Sequence, residues 1–388
     1  MTDNTWWRTQ KQLDPVQLEV LNLPLDEDFL VVGPPGSGKT NILLLRAAYL
    51  ARMQRPNLAV LMFTGSLRDF VTRGAQDYRI SNDKIMTIER WSRRLLREHN
   101  VKFDDIGGGT FEERREEMAR RVGALLTAKP RLKGHLECVL VDEVQDCLEL
   151  EVENFAECGR NVFLVGDFRQ RVYRGENVLD KLEKRFVTKK LVHHYRNGHD
   201  ICRVADAIGK TSGEKEILPT CNYQEDANPS KAEFFECGSE ADQHAQVIAQ
   251  LQQQLKAYPG ELLAVACPRK EDVARCRDAL ERSPLRDRLI DVDDFGDVDP
   301  ERVIFVSTLH DVKGLEFRAV HLVAMDKVSR LGDVQKRVAF TAVTRAKTRL
   351  SVWWTKSIPG YLEQAAEAVA PVKELGSLAE LFPDGEGS

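Results

Sequence analysis

The amino-acid sequence predicts an α/β protein of two domains, each built on a parallel β-sheet and separated from the other by a cleft. Three observations support this prediction: short apolar runs that end in polar residues, a glycine-rich turn between one such run and a helical run, and the return of the same strand–helix order in the second half of the chain. A length of 388 residues is sufficient for two domains that each have a core.

Four short apolar runs in the first half are predicted to be buried parallel strands. They span residues 29–32, 58–63, 138–141 and 161–165, and each is followed by polar residues. Open parallel sheets bind their ligands at the carboxyl ends of the strands. We therefore expect a ligand site among the polar residues that follow these runs.

The second half repeats this pattern and predicts a second α/β domain. Its predicted strands are 232–236, 262–266, 303–307 and 319–324, with helices at 240–256 and 271–281. We divide the chain into a first domain over residues 1–185, which includes a short helical insertion at 99–135, and a second domain over 186–370. Residues 371–388 are predicted to form a flexible tail.

The glycine-rich turn has the sequence of a phosphate-binding loop. GPPGSGKT fits the pattern G-x-x-x-x-G-K-[ST] and comprises Gly33, Pro34, Pro35, Gly36, Ser37, Gly38, Lys39 and Thr40. The glycines let backbone N–H groups approach phosphate oxygens, and the helix that follows directs the positive end of its dipole at them. Lys39 is expected to neutralise the β- and γ-phosphates, and Thr40 is expected to hold Mg²⁺. The sequence therefore predicts a protein that binds ATP and Mg²⁺.

Two acidic residues follow the predicted strand at 138–141. Asp142, at the end of a buried strand, is expected to anchor Mg²⁺. Glu143, beside it, is expected to act as a general base that polarises the attacking water. A pair of solvated acids that caps a strand is the simpler alternative, but the phosphate loop favours the catalytic interpretation.

Composition and charge narrow the class of protein. The chain is 42% hydrophobic and 30% charged, and it has neither an apolar run long enough to span a bilayer nor a secretory signal, so we expect a cytoplasmic protein without a membrane partner. The eight cysteines are scattered without a C-x-x-C pair, so we interpret most of them as small buried apolar residues rather than metal ligands. A net charge of −5 argues against a protein that coats nucleic acid over its whole surface. The arginine-rich run at 90–97 is either a local basic track or a solvated helix face.

Further motifs occur in a fixed order along the chain and carry a family resemblance. They are LDPVQ (13–17), VDEVQD (141–146), VGDFRQRVY (165–173), LVHHYRN (191–197), STLHDVKGLEF (307–317) and AFTAVTRAKTRL (339–350). With the phosphate loop they resemble the UvrD/Rep/PcrA branch of the superfamily 1 DNA helicases. The resemblance covers residues 13 to about 350 and implies two RecA-like P-loop NTPase domains that flank an ATP cleft.

The resemblance also implies roles for individual residues. Gln17 would read the adenine, Tyr195 would stack near it, and Glu316 would contact the ribose. Arg196 and Arg345 would reach the γ-phosphate from the second domain, and such arginines contribute about 10³–10⁵ in rate. Gln170 would sense the γ-phosphate and couple it to the DNA track. Thr308 and His310 would lie on the nucleic-acid side. Phe63, Thr64 and Tyr173 are further candidates for that side, and Phe63 and Tyr173 could equally be core residues.

The chain departs from the family pattern at several positions. Asn41 stands where the family usually has an arginine that helps to hold the base, which implies weaker or less selective adenine binding. Glu89 stands where the family has histidine, and no tryptophan follows Tyr173 to stack on a DNA base. Stacking contributes about 1–3 kcal/mol per base, so the grip on a single strand is expected to be looser. The large insertion that the family carries before the segment at 307–317 is missing, and the first-domain insertion is short.

Three functions are compatible with these observations. The leading hypothesis is an ATP-dependent translocase or helicase on single-stranded DNA, with 3′→5′ polarity taken from the resemblance and with RNA not excluded. The second is a nucleotide-gated ATPase switch that acts with a protein partner such as a nuclease and does not unwind by itself. A small-molecule kinase shares the phosphate loop but leaves KGLEF (313–317) and the TRA at 344–346 without a role.

Overall fold

The protein contains two parallel β-sheets, one in each half of the chain. The computed structural model describes residues 8–75, 78–103, 106, 108–167, 178–210, 216–290, 301–328 and 333–370. The predicted fold class, two parallel-sheet α/β domains, is confirmed. Within the described residues, no helix combines the length and the apolar character needed to cross a bilayer.

The first sheet has six parallel strands in the order β3-β2-β4-β5-β1-β6. The strands are β1 (Phe29–Val32), β2 (Leu58–Met62), β3 (Ile85–Thr87), β4 (Cys138–Val141), β5 (Val162–Gly166) and β6 (Val187–Lys190). The helices around them are α1 (Pro15–Leu21), α2 (Lys39–Arg52), α3 (Gly65–Ala75), α4 (Ile88–Glu98), α5 (Phe111–Ala128), α6 (Glu149–Cys158) and α7 (Val178–Arg185). Helix α5, inside the predicted insertion at 99–135, packs against α4 and α6.

The second sheet has five parallel strands in the order β7-β11-β10-β8-β9. The strands are β7 (Lys231–Glu236), β8 (Leu263–Cys267), β9 (Ile304–Thr308), β10 (Phe317–Leu322) and β11 (Ala346–Trp354). Its helices are α8 (His199–Lys210), α9 (Glu240–Ala257), α10 (Lys270–Glu281), α11 (Asp333–Val343) and α12 (Gly360–Glu367).

One apolar core joins the two domains. Successive residues of β1 point to opposite faces of the first sheet, as the period of two in a strand requires. Leu30 and Val32 pack into a core that is confined to the first domain. Phe29 and Val31 belong to a core that also contains second-domain residues such as Phe317. This shared core holds the first sheet against the second domain.

Strand β6 corrects the predicted boundary at 185/186. It lies in the part of the chain that we assigned to the second domain, yet it pairs in parallel with β1 from Phe29↔Val187 to Val32↔Lys190. The first sheet therefore extends to Lys190. Residues 191–198 then connect the two sheets and lead into α8.

Candidate nucleotide site between the two domains

The phosphate loop lies between β1 and α2, as predicted, and two of its glycines adopt a left-handed backbone. Gly36 has φ +73° and Gly38 has φ +82°, values that a residue with a side chain rarely adopts. Gly38 is also the N-cap of α2. A Cβ on Gly38 would lie 2.7 Å from Gln17 Nε2. The glycines therefore provide both the turn and the space that the loop requires.

Gln17 holds the loop from helix α1. Its backbone N–H and that of Val16 donate to the Asp14 carboxylate, at 2.9 and 2.7 Å, which caps the helix. Its side-chain Nε2 donates to Ser37 O at 2.9 Å. Gln17 is 2% exposed. The cap therefore positions the glutamine, and the glutamine in turn fixes one carbonyl of the loop.

Lys39 is buried at the base of the loop. Its Nζ donates to Gly33 O and to Pro34 O, at 2.9 Å each, and lies 3.9 Å from Asp167 Oδ2. Burial lowers the pKa of Lys39, while Asp167 and Glu143 oppose that shift. Because the Lys39 ammonium group is largely removed from water, an anionic ligand such as a phosphate would stabilise its charge strongly.

Thr40 and Asp142, the two predicted Mg²⁺ ligands, are in direct contact. Thr40 Oγ1 donates to Asp142 Oδ2 at 2.7 Å. Asp142 is 1% exposed, and burial followed by the charge of Glu143 raises its pKa. A hydroxyl and a carboxylate are the hard oxygen donors that Mg²⁺ prefers, and a cation beside Asp142 would relieve its buried charge. The residues present therefore fit a magnesium ion.

Glu143 is held in a strained conformation beside this pair. Its φ is +51°, in the left-handed region that residues other than glycine rarely adopt and that is common at functional sites. Gln145 Nε2 donates to its carboxylate, and Gln145 Oε1 accepts from Asp167 N at 3.0 Å. Burial opposes ionisation of Glu143, but the cations around it, first Lys313 and then Arg345, lower its pKa overall. The carboxylate is therefore ionised and aimed by a hydrogen bond.

Two arginines face the phosphate loop across the cleft. Arg345 follows α11 and is 2% exposed; its Nε donates to Thr341 O at 3.1 Å. Burial and the charge of Arg196 lower its pKa to about 10. Arg196 lies on the connection between the sheets, where it forms an ion pair with Glu316 and donates to Thr344 O at 3.4 Å. The structure thus brings both predicted arginines to one cleft.

The far end of the cleft contains an aromatic ring with a cation over it. The Tyr195 hydroxyl donates to Asp14, and burial together with this hydrogen bond raises the pKa of Tyr195 to about 12. The Arg8 guanidinium lies 5.1 Å from the centre of the Tyr195 ring. Asn41 Nδ2 donates to Arg8 O at 3.3 Å, and its Oδ1 accepts from Arg8 N at 3.3 Å and from the Tyr78 hydroxyl. Arg8 therefore brings a guanidinium to the end of the cleft where the sequence has Asn41 in place of an arginine.

These side chains surround one cleft of about 940 Å³. Thirteen of the residues assigned to nucleotide or metal from the sequence line it, namely Gln17, Pro35, Gly36, Gly38, Lys39, Thr40, Asn41, Asp142, Glu143, Tyr195, Arg196, Glu316 and Arg345. The cleft is also lined by four residues that the sequence reasoning missed: Arg8, Phe70, Gly314 and Lys347. Arg8 lies outside every motif, and Lys347 could have been found as the residue two after Arg345. Gln170 lies outside the described residues.

The predicted nucleic-acid residues after β2 already contact neighbouring residues of the first domain. Phe63 is half-buried, and the Arg115 guanidinium lies 4.8 Å from the centre of its ring. Thr64 Oγ1 accepts from Leu67 N at 3.1 Å and so caps α3. Tyr173 lies outside the described residues.

The predicted residues after β9 lie beside the contact between the two domains. Thr308 Oγ1 donates to Asp311 Oδ2 at 2.6 Å, and His310 is exposed. A Cβ on Gly314 would lie 3.0 Å from a Leu67 methyl group, so the loop after β9 packs against α3. The segments that follow β2 and β9 therefore meet across the domain interface.

Family models match both halves of the chain. The UvrD-like helicase C-terminal domain model matches residues 303–353, and the AAA domain model matches residues 17–176. Among solved structures, the PRRSV helicase is 15% identical with a TM-score of 0.42; the match covers 87% of this chain and 54% of that one, so the chain spans about half of its length. No curated protein matches the chain. The two models follow the order of the two sheets.

Proposed function

We propose that the chain is a UvrD-like helicase of superfamily 1 that hydrolyses ATP·Mg²⁺ in the cleft and uses the cycle to move along single-stranded DNA. The helicase-family domains imply an enzyme that hydrolyses nucleoside triphosphates. The choice of ATP, the DNA track and the 3′→5′ polarity belong to the proposal. The observation that carries it is the convergence of Arg196 and Arg345 on the cleft that the phosphate loop lines.

The proposed mechanism gives each polar group of the cleft one task. Loop amides and Lys39 would bind the triphosphate, while Thr40 and Asp142 would hold Mg²⁺, which would neutralise charge on the phosphates. Glu143, ionised at neutral pH, would accept a proton from the attacking water.

Charge that develops on the γ-phosphoryl oxygens requires fixed cations on the second side. Arg345 is buried and bound to backbone carbonyls, so its guanidinium is already in place and costs little reorganisation. Arg196 is paired with Glu316 and would exchange this partner for phosphate. In the proposed cycle, Glu316 is thereby free to contact the ribose. Hydrolysis would then depend on both sides of the cleft being closed.

A second cavity supports a nucleic-acid path beside the first sheet. It measures about 820 Å³ and lies between the end of β2 and helices α4 and α5. Phe63 and Phe111 line it, and Arg115 contacts both rings, with its guanidinium 4.8 and 5.6 Å from their centres. Aromatic faces beside arginines are the groups that bind unpaired bases. Bases of DNA and of RNA would both fit this description.

The arginine-rich run at residues 90–97 on α4 could bind only part of a nucleic-acid backbone. Arg93 pairs with Glu89 at 2.9 Å, and Arg94 pairs with Glu98 at 2.8 Å. These exposed pairs offset two of the four arginine charges. We therefore propose a weak, salt-sensitive backbone contact rather than a continuous basic groove.

The test is ATP hydrolysis with no nucleic acid, single-stranded DNA, duplex DNA and RNA, each at two salt concentrations. Single-stranded DNA should raise the turnover number, and Lys39→Ala or Glu143→Gln should abolish it. Lys11→Ala, a change of an exposed lysine outside the cleft, is the matched control. Turnover that no nucleic acid affects would contradict the translocase proposal, and no turnover at all would contradict the ATPase.

A second candidate, a nucleotide-gated switch that acts with a partner such as a nuclease, is favoured by the compact second domain. Only residues 282–303 lie between α10 and β9, where the family resemblance implies a large insertion. Strand separation by the isolated chain, on a duplex with a single-stranded 3′ tail, would contradict this candidate. ATP turnover without strand separation, restored by a co-purified partner, would support it.

A further inference from the structure

Three side chains of the second domain form a compact group of nitrogen and sulfur donors. The ligand atoms of His194, Cys202 and Cys221 all lie within 4.8 Å of one another. His194 precedes α8, Cys202 lies on α8, and Cys221 follows a short turn at 218–220. The donors are 8 and 19 residues apart in the chain, so their spacing matches no familiar metal motif. The fold alone brings them together.

The distances in this group approximate those of a small tetrahedral site. Cys202 Sγ lies 3.7 Å from His194 Nε2. Both sulfurs approach one backbone oxygen, Asn197 O, at 3.5 Å for Cys202 and 3.3 Å for Cys221. Zinc bound at about 2.3 Å to sulfur and about 2.1 Å to nitrogen or oxygen would place unlike ligands roughly 3.6 Å apart. Little movement is therefore needed to admit an ion.

Burying these polar side chains without partners lowers the stability of the fold, and a bound metal ion would offset that cost. His194 and Cys202 are fully buried, and Cys221 is half-buried, which leaves an entry path from one side. His194 Nδ1 is buried without a hydrogen-bond partner.

We propose that His194, Cys202 and Cys221 bind a zinc ion, with the carbonyl oxygen of Asn197 as the fourth ligand. Two soft sulfurs and one imidazole select zinc over magnesium or calcium. On binding, each thiol still protonated releases its proton to solvent and the imidazole proton moves from Nε2 to Nδ1. The cost is the hydrogen bond that Nε2 now makes with Ile217 O at 3.0 Å, together with an Nδ1–H that is buried without an acceptor. A ligand set closed in this way, with no position left for substrate, is typical of a structural zinc site.

The first test uses the unaltered full-length chain, prepared without added metal and then titrated with Co²⁺. The expected result is a saturable spectrum with thiolate-to-cobalt charge transfer in the near ultraviolet and tetrahedral ligand-field bands in the visible region. One equivalent of Zn²⁺ should abolish it, and binding should weaken as pH falls because the thiols must lose protons. The absence of these bands, or their persistence in urea-unfolded protein, would overturn the proposal.

Variants then locate the site. Cys202→Ser and Cys221→Ala should each lose the cobalt spectrum and bound zinc. Cys276→Ser is the matched control, because Cys276 is also a buried thiol beside a second cysteine and a histidine. Loss of metal from the control alone would overturn the assignment. A disulfide between Cys202 and Cys221 would also overturn the assignment. Mass spectrometry would detect it as a mass two hydrogens lower than that of the reduced chain.

Discussion

The ion pair between Lys313 and Asp146 is a buried link between the two domains, and its removal gives a quantitative prediction. Lys313 Nζ donates to the Asp146 carboxylate, and the two residues are each 4% exposed. Burial raises the pKa of Asp146 to about 6, and Lys313 opposes this rise. Removal of one partner of a buried pair costs about 3–5 kcal/mol, so Lys313→Met should destabilise the protein by that amount near neutral pH.

The pH dependence distinguishes this explanation from simple loss of packing. A carboxyl whose pKa is higher in the folded than in the unfolded protein lowers the stability of the fold at pH values above the folded-state pKa. That stability is regained as the pH falls through the folded-state pKa towards the pKa of the unfolded chain. Without Lys313, the pKa of Asp146 should rise further, so the difference in stability between wild type and variant should shrink by up to about 2.7 kcal/mol between about pH 7.5 and about pH 5.5, at 1.36 kcal/mol per pH unit. Urea unfolding followed by circular dichroism at both pH values measures the gap. The double variant Asp146→Asn with Lys313→Met should recover most of the stability at pH 7.5. A gap below about 1 kcal/mol, or one that is the same at both pH values, would refute the reasoning.

Three further substitutions test the cleft and its surroundings. Arg8→Ala should raise the KM for ATP about 2- to 30-fold in steady-state assays, since Arg8 lines the end of the cleft proposed for the base and a cation stacked on an aromatic base contributes about 0.5–2 kcal/mol, whereas Lys11→Ala should not. Gly36→Ala should abolish nucleotide binding in an equilibrium titration, because φ is +73° and the methyl group would meet the connection between the sheets at 2.5 Å; wild-type affinity would contradict this. Arg115→Ala should lower the free energy of unfolding by about 3–5 kcal/mol, since Glu151, 6% exposed, would lose its partner; an unchanged urea midpoint would argue against it.

The sequence predicted the central strands well because they are buried on both faces. β1 and β4 begin and end at the predicted residues, since four consecutive apolar residues between polar ones leave little ambiguity. The strands that it missed carry a weaker signal. β3 has three residues, and β6, with the sequence VTKK, is partly exposed at the edge of the sheet. In β11 the motif residues at its start obscured a nine-residue strand.

The candidate site divides in the same way. Loop residues such as Lys39 and Thr40 were predictable because the glycine turn and the phosphate-binding side chains follow one another in a single short segment of sequence. Arg8 was not, because its position over Tyr195 depends on a contact between residues 187 positions apart. The proposed zinc ligands were not predicted for a similar reason, since no local pattern joins Cys202 to Cys221. Chemistry assembled by tertiary contacts leaves little trace in residue spacing.

The connection at 191–198 carries two of the candidate nucleotide groups, Tyr195 and Arg196, on the segment that joins the two sheets. Leu191 N donates to Val32 O at 2.8 Å, and Tyr195 N donates to Gly36 O at 3.0 Å, so this segment is fastened to the phosphate loop by its own backbone. A ligand that displaces the phosphate loop would therefore displace the connection between the two sheets through the backbone itself. No relay of side chains would be required to carry that change from one domain to the other.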